Sequence, residues 1–275
     1  MAREQIDTGT EDCLVYLEDS VAVITLNRPQ ARNAMSGEMN AALQRCLADF
    51  ELDPAVKVIV LTGAGKGFCA GGDVKGMAAS GDGTVGDNTI DGAIHRQRLH
   101  QRATAGKLFK MPKPTIAALP GAAAGAGLSL ALACDMRAMA SSAIMTTAFA
   151  RVGFSGDYGG TYFMTQLVGS AKARELYYLS ERVSAEEALR LGLANWVFEP
   201  DELMDKTLEI ARRLASGPTV AYRYMKENLN RAMNGEVDDC LDLEATHHVH
   251  CGQTEDHREA AKAFVEKREP QFKGS

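Results

Sequence analysis

The sequence predicts an α/β fold, and three observations carry that reading. Short apolar runs alternate with stretches of helical periodicity over the first 200 residues. Runs such as Val58-Ile-Val-Leu and Ile116-Ala-Ala-Leu are continuously apolar, as strands buried on both faces are. Two such runs lead directly into turns built of Gly and Ala, with helical sequence after them.

Each element has its own justification. Val21–Leu26 is a β-branched, apolar strand stopped by the turn Asn27-Arg28-Pro29. Ser36 is placed to cap a helix that carries Met39, Leu43, Cys46, Leu47 and Phe50 on one face. Strands are expected over 56–62, Thr115–Leu119 and Met136–Ala140. Residues 78–92 are polar, glycine-rich and aperiodic, and read as a mobile loop over a ligand or a disordered insertion. Ser184-x-x-Glu187 has the form of a capping box. Trp196–Phe198 reads as a last strand, and from Asp201 onward the pattern is helical almost to the end.

Composition excludes several classes of function. A chain of 275 residues can bury a substantial core. Its formal charge is −6 and it has no long basic run, which argues against nucleic acid as a partner. No apolar run reaches spanning length and the first residues are polar, so neither a membrane anchor nor export is expected. Six cysteines are scattered without C-x-x-C spacing, which fits reduced thiols in a cytoplasmic protein. His247-His248-x-His250 with Cys251 and His257 fits no tetrahedral zinc spacing, and reads as a polar helix face or a subunit contact.

The two strand–turn–helix segments carry the chemistry. In Lys113-Pro114 through Cys134-Asp135, side chains no larger than Ala around Gly121, Gly125 and Gly127 allow a ligand to approach the backbone. The helix that follows offers unpaired N–H groups and the positive end of its dipole, an arrangement that holds developing negative charge. A tight packing joint between strand and helix is the alternative for this segment taken alone. The second segment runs from Val58 through Thr62-Gly63-Ala-Gly65-Lys-Gly67-Phe68-Cys69 to Ala70-Gly71-Gly72-Asp73-Val74. It is no P-loop, because Lys66 is followed by Gly67. It is no dinucleotide fingerprint, because Phe68 stands where a third glycine is required.

Together the two segments resemble the crotonase (enoyl-CoA hydratase/isomerase) superfamily. Ala70-Gly71-Gly72-Asp73-Val74 matches its A-G-[AG]-D-[ILV] loop, and 113–135 matches its K-P-x-I-A-A-x-x-G…G-x-G…C-D block. Leu26-Asn27-Arg28-Pro29 with Asn33-Ala34, Gly159-Gly160-Thr161, Ala185 to Leu193 and Ala263-Phe264 to Arg268 extend the likeness over about residues 12–270. The resemblance implies a ClpP/crotonase-like spiral of ββα units over residues 1–200. It also implies a helical region, 201–275, that packs in a homotrimer, often a dimer of trimers. The substrate class it implies is an acyl-CoA thioester of acyl-CoA or fatty acid metabolism. Coenzyme A would enter as part of the substrate, with no permanently bound cofactor and no metal.

Carried over residue by residue, the thioester carbonyl would lie between the backbone N–H groups of Gly72 and Ala126. Each well-aimed donor to the enolate oxygen is worth roughly 3 kcal/mol. Ala34, Ala70 and Val74 fall at positions contacting adenine and pantetheine, with Arg28 or Arg32 near the phosphates. An exposed arginine in a turn serves equally as a solvated surface group.

Family hydratases use two glutamates, and here Ser129 and Phe149 stand at those positions. Adding water across a double bond needs one group to activate the water and another to deliver the proton. A hydroxyl and a phenyl ring supply neither, which argues against ordinary hydration. Ser129 is expected to bond back to its own helix unless it meets a substrate. Asp157 remains, in Phe154-Ser155-Gly156-Asp157-Tyr158-Gly-Gly. Several branches of the family place a proton-carrying or nucleophilic aspartate there, and 149–160 is similar to the isomerase form. One carboxylate suffices to take a proton from one carbon and return it to another. A cap on the helix before Gly159-Gly160-Thr161 is the alternative role for Asp157. Tyr158 and Ser155 are candidate pocket residues, and Asp73 and Asp135 candidate structural ones.

Three functional readings follow. The first is an enoyl-CoA or ring-type acyl-CoA isomerase in which Asp157 shuttles the proton. The second is nucleophilic attack by Asp157 on an aroyl-CoA, as in dehalogenases, with His95 or His100 as base. The third is a CoA-binding protein without catalysis. An enoyl-CoA hydratase-like protein with weak or altered activity stands beside them.

Overall fold

The structure, a computed structural model, describes residues 3–73 and 89–275. Its order begins with strands β1 (Glu4–Ile6), β2 (Cys13–Glu18) and β3 (Val21–Leu26), then helix α1 (Gly37–Leu52) and strands β4 (Val58–Gly63) and β5 (Gly67–Cys69). Helices α2 (Ile90–Ala103) and α3 (Ala105–Lys110) follow, then β6 (Thr115–Leu119), β7 (Ala122–Ala124) and α4 (Ala126–Ala133). Next come β8 (Met136–Ala140), β9 (Ile144–Thr146), a 3₁₀ turn (Phe149–Val152) and α5 (Gly160–Leu179), which breaks from helical geometry at Gly169. The chain continues through β10 (Val183–Ser184), α6 (Ala185–Arg190) and β11 (Trp196–Phe198). Four helices end it: α7 (Leu203–Ala215), α8 (Thr219–Ala232), α9 (Val237–Cys251) and α10 (Glu255–Glu266).

The strands form two sheets, ordered β1-β2-β3-β4-β6-β8-β11 and β10-β9-β7-β5. From β3 to β11 the first sheet is parallel, as are β5, β7 and β9 in the second. Each spiral repeat therefore places one long strand in the large sheet and one short strand in the small sheet. The units β6-β7-α4 and β8-β9-α5 show this directly. This is the ββα spiral of the crotonase fold.

The continuous apolar runs are explained by burial of both faces of the large sheet. Ala22, Ile24, Ile59, Leu61, Ala117 and Leu119 enter the main core with α1 and α4. Their alternates Val21, Val23, Val58, Val60, Ile116 and Ala118 pack against Leu208, Ala211 and Ala215 of α7. Helix α7 thus covers the outer face of the sheet, although it lies beyond residue 200.

Local expectations are met in most places. The Ser36 hydroxyl accepts the Met39 N–H at 3.0 Å and caps α1. Ser184 accepts the Glu187 N–H at 3.2 Å, but the capping box is only half formed. The Glu187 carboxylate turns instead to Arg190 of its own helix. Of the loop expected over 78–92, residues 78–88 lie outside the described residues. Its last part is corrected, because Thr89 caps α2 through the Gly92 N–H and Ile90 begins the helix. Among the described residues, no helix is long and apolar enough to cross a membrane.

Candidate active site

The two Gly/Ala segments meet backbone to backbone. A Cβ on Gly127 would fall 2.4 Å from the Cys69 carbonyl oxygen, and one on Gly121 would fall 2.0 Å from that of Lys66. Gly71 has φ +89°, and a Cβ there would lie 2.9 Å from the Ala124 oxygen and 3.1 Å from the Ala126 nitrogen. Only glycine permits such an approach. Asn33 holds the arrangement from behind, fully buried, with its amide donating to the carbonyls of Ala64 and Gly67. Sequence reading used Asn33 as a landmark only; a polar residue fixed beside a turn was the signal for this staple.

Peptide geometry then aims two N–H groups. The Gly71 carbonyl accepts the Met35 N–H at 2.8 Å, within a parallel bridge from Met35 to Gly72. In a trans peptide the N–H opposes the carbonyl, so the Gly72 N–H points away from Met35. Ala126 is the first residue of α4, where an N–H has no intrahelical partner. Gly125, at φ 54° and ψ −128°, turns the chain into that helix.

Asp157 is linked to this region through two rings: its charge acts on the Tyr177 phenol, which stacks on Phe149 beside Gly125. The loop before α5 bends at Gly156 (φ +114°), Tyr158 (φ 49°) and Gly159 (φ +76°). The Tyr158 N–H donates to Gln101 Oε1 of α2 at 2.7 Å, a contact sequence reading missed because Gln101 lies in no motif. Helix α5 has no side-chain cap. The Gly160 N–H donates to the backbone oxygen of Asp157 and not to its carboxylate. The helix-capping alternative for Asp157 is thereby set aside. Its Oδ1 is buried without a hydrogen-bond partner among the described residues, and burial pushes the carboxyl up to about 6.

Aromatic groups wall this corner. Phe149 is buried, its ring edge 3.7 Å from where a Gly125 Cβ would stand, and it stacks on Tyr177 with centroids 5.9 Å apart. A Cβ on Gly160 would meet both Ser129 Oγ, at 2.3 Å, and the Tyr177 hydroxyl, at 2.6 Å. Ser129 bonds back to the Gly125 carbonyl at 3.3 Å, as expected of a helical serine. Burial, followed by the nearby Asp157 charge, raises the phenol pKa of Tyr158 and of Tyr177; Cys69 adds to the effect on Tyr158. Tyr177 belongs to no motif of the sequence, and only its place on α5 reveals it.

The remaining candidates are distributed differently. Arg28 is drawn inward, donating to the Ala34 carbonyl at 2.8 Å and pairing with Asp73 at 3.2 Å and Asp12 at 3.5 Å. Arg32 is exposed and lines a cavity of about 480 Å³ with Lys66, Arg151, Arg182, Ala70 and Ala124. Ala34 is buried beside it in sequence, and Val74 lies outside the described residues. Ser155 is exposed, and so is His95 on α2; His100 is half-buried. Asp135 is structural, accepting from Thr115 and from Lys226 Nζ at 2.9 Å. His247 is buried against Tyr224 and Asn228 between α8 and α9, while His248 and His250 are exposed.

A family model described as enoyl-CoA hydratase/isomerase matches residues 17–275. A 1,2-epoxyphenylacetyl-CoA isomerase of Escherichia coli is 38% identical, covering 96% of this chain and 99% of its own. A short-chain-enoyl-CoA hydratase of Clostridium acetobutylicum is 36% identical, covering 91% and 93%. The crystal structure of an enoyl-CoA hydratase from Bacillus anthracis superposes with a TM-score of 0.87 at 32% identity, covering 96% of this chain and 100% of that one.

Proposed function

The chain belongs to the enoyl-CoA hydratase/isomerase family, and within it we propose that it is an acyl-CoA isomerase with Asp157 as the proton shuttle. The observation that carries this reading is the Asp157 carboxyl. It is raised toward neutrality, its Oδ1 has no partner among the described residues, and Ser129 and Phe149 supply no second carboxylate.

The acyl-CoA thioester carbonyl is received by the N–H groups of Gly72 and Ala126. Asp157 removes a proton from the α carbon, and the electron pair of that C–H bond moves into an enolate whose oxygen the two donors stabilise. In an enoyl or ring-type acyl group the enolate is conjugated, so the protonated Asp157 returns the same proton to a more distant carbon. The double bond shifts, no water is consumed, and the carboxylate is regenerated. A carboxyl with a pKa near 6 is close to the working pH in both directions. Arg32, Lys66, Arg151 and Arg182 give the neighbouring cavity the positive charge that the phosphates of coenzyme A require. Arg28 instead braces Ala34 and Asp73 behind the loop.

The test is isomerisation of 3-enoyl and ring-type acyl-CoA thioesters by wild type and Asp157→Asn. Loss of a general base is expected to lower turnover by about 10²–10⁴-fold. Full turnover in the variant would sink the proposal.

A further inference from the structure

Three features around Asp157 remain unused by proton transfer: the Tyr177 hydroxyl, the Ser129 hydroxyl and the glycine between them. The Tyr177 ring is fixed by stacking on Phe149, and Thr147, whose carbonyl accepts the Phe149 N–H, ties its own hydroxyl to the Leu176 carbonyl at 2.8 Å. The Tyr177 hydroxyl itself makes no hydrogen bond among the described residues. It lies close to Ser129 Oγ, because both atoms fall within 2.6 Å of the point where a Gly160 Cβ would stand. Even a Cβ at 160 would collide with both hydroxyls, so the two converge over the bare Cα of Gly160. Ser129 spends its proton on Gly125 but keeps lone pairs, whereas a neutral phenol keeps its proton to give. The pair therefore presents one acceptor and one donor side by side.

The geometry points to Tyr177 as a specificity-determining residue, whose hydroxyl donates to an oxygen carried by the acyl group. Ser129 stands one helical turn, about 5 Å, beyond Ala126. With the thioester oxygen at Ala126, that distance places the recognised oxygen near the β or γ carbon. The thioester position is the only part that rests on the functional reading above. The ligand class is an acyl-CoA bearing a hydroxyl, epoxide or enol oxygen there. A hydroxyl satisfies both members of the pair and an ether oxygen satisfies Tyr177 alone. A plain hydrocarbon leaves the phenol unpaired in a desolvated corner, which penalises it.

The test uses two probes without a double bond to shift, freshly prepared phenylacetyl-CoA and 2-hydroxyphenylacetyl-CoA, bound to the full chain and followed by calorimetry. Tyr177→Phe keeps the stacked ring and removes only the hydroxyl. Wild type is expected to prefer the hydroxylated probe, and the variant to lose about tenfold in affinity for it while binding phenylacetyl-CoA at least as tightly as wild type does. No preference in wild type, an equal loss for both probes, or no loss for either overturns the assignment. The measurement reads binding alone and neither probe can shift a double bond, so the outcome is independent of whether Asp157 moves a proton.

Discussion

At Asp157 a carboxyl is taken out of water with no donor to its Oδ1 among the described residues, and its pKa rises to about 6. The same shift affects activity and stability. As a base the carboxylate must be ionised, so kcat/KM is expected to fall as pH drops through about 6, and Asp157→Asn abolishes that limb along with most of the rate. For stability the sign is opposite. The folded pKa lies above the unfolded value, so the carboxyl favours folding while protonated, and that contribution is lost as pH rises through 6. Asp157→Asn is therefore expected to be more stable than wild type at pH 8, by on the order of 1–2 kcal/mol, with no gain at pH 4. Thermal melts of both proteins at the two pH values check this; a variant less stable at pH 8 contradicts it. At this scale Asp157, Gly72 and Ala126 could be named as candidates because each sits in an ordered motif. Tyr177 and Gln101 were not, because they reach the site across the fold from unremarked helical positions.

Among elements, the decisive joint is that between β5 and α4. Gly127 lets the helix start lie directly on the Cys69 peptide, and Gly71 lets the neighbouring loop touch Ala126. Gly127→Ala adds a methyl 2.4 Å from a carbonyl oxygen that cannot yield without moving the strand. The expected cost is about 1–3 kcal/mol of stability. A loss of acyl-CoA binding is also expected, since the two N–H donors would part. Chemical denaturation and ligand titration of Gly127→Ala measure both, and wild-type values for both would contradict this account of the joint. The sequence showed that small residues were required here but not what they approached. Most strand ends, the Ser36 cap and the start of α4 were readable from local chemistry, but the strand expected over 56–62 runs Val58–Gly63. The Glu187 partner was not, because Arg190 competes for its carboxylate one turn away.

For the whole molecule, burial of both sheet faces explains the uniformly apolar strands, and α7 supplies the second cover from beyond residue 200. The last helices are less complete. Leu229, Val237, Leu241, Val249, Phe264 and Val265 are each more than half exposed, on α8, α9 and α10. Large apolar groups left exposed in this way are what an association surface carries. We propose as its occupant further copies of this chain, in the homotrimer or dimer of trimers that the family resemblance implies. Sedimentation is expected to report three or six times the 29.5 kDa chain mass, with Phe264→Asp plus Val265→Asp shifting the mass downward. A stable wild-type monomer would contradict this. The alternation of strands and helices was legible from local patterns, whereas the ββα spiral came from the family resemblance. Which faces the C-terminal helices cover was not, since helical periodicity names an apolar stripe and no partner.

The central claim is that Asp157 moves a proton on a carbon activated by the Gly72 and Ala126 N–H groups. The most direct measurement is hydrogen exchange at the α carbon of a saturated acyl-CoA in D₂O, followed by NMR. Exchange is expected with wild type, at least a hundredfold slower with Asp157→Asn, and absent without protein. Equal exchange by wild type and Asp157→Asn would contradict the account.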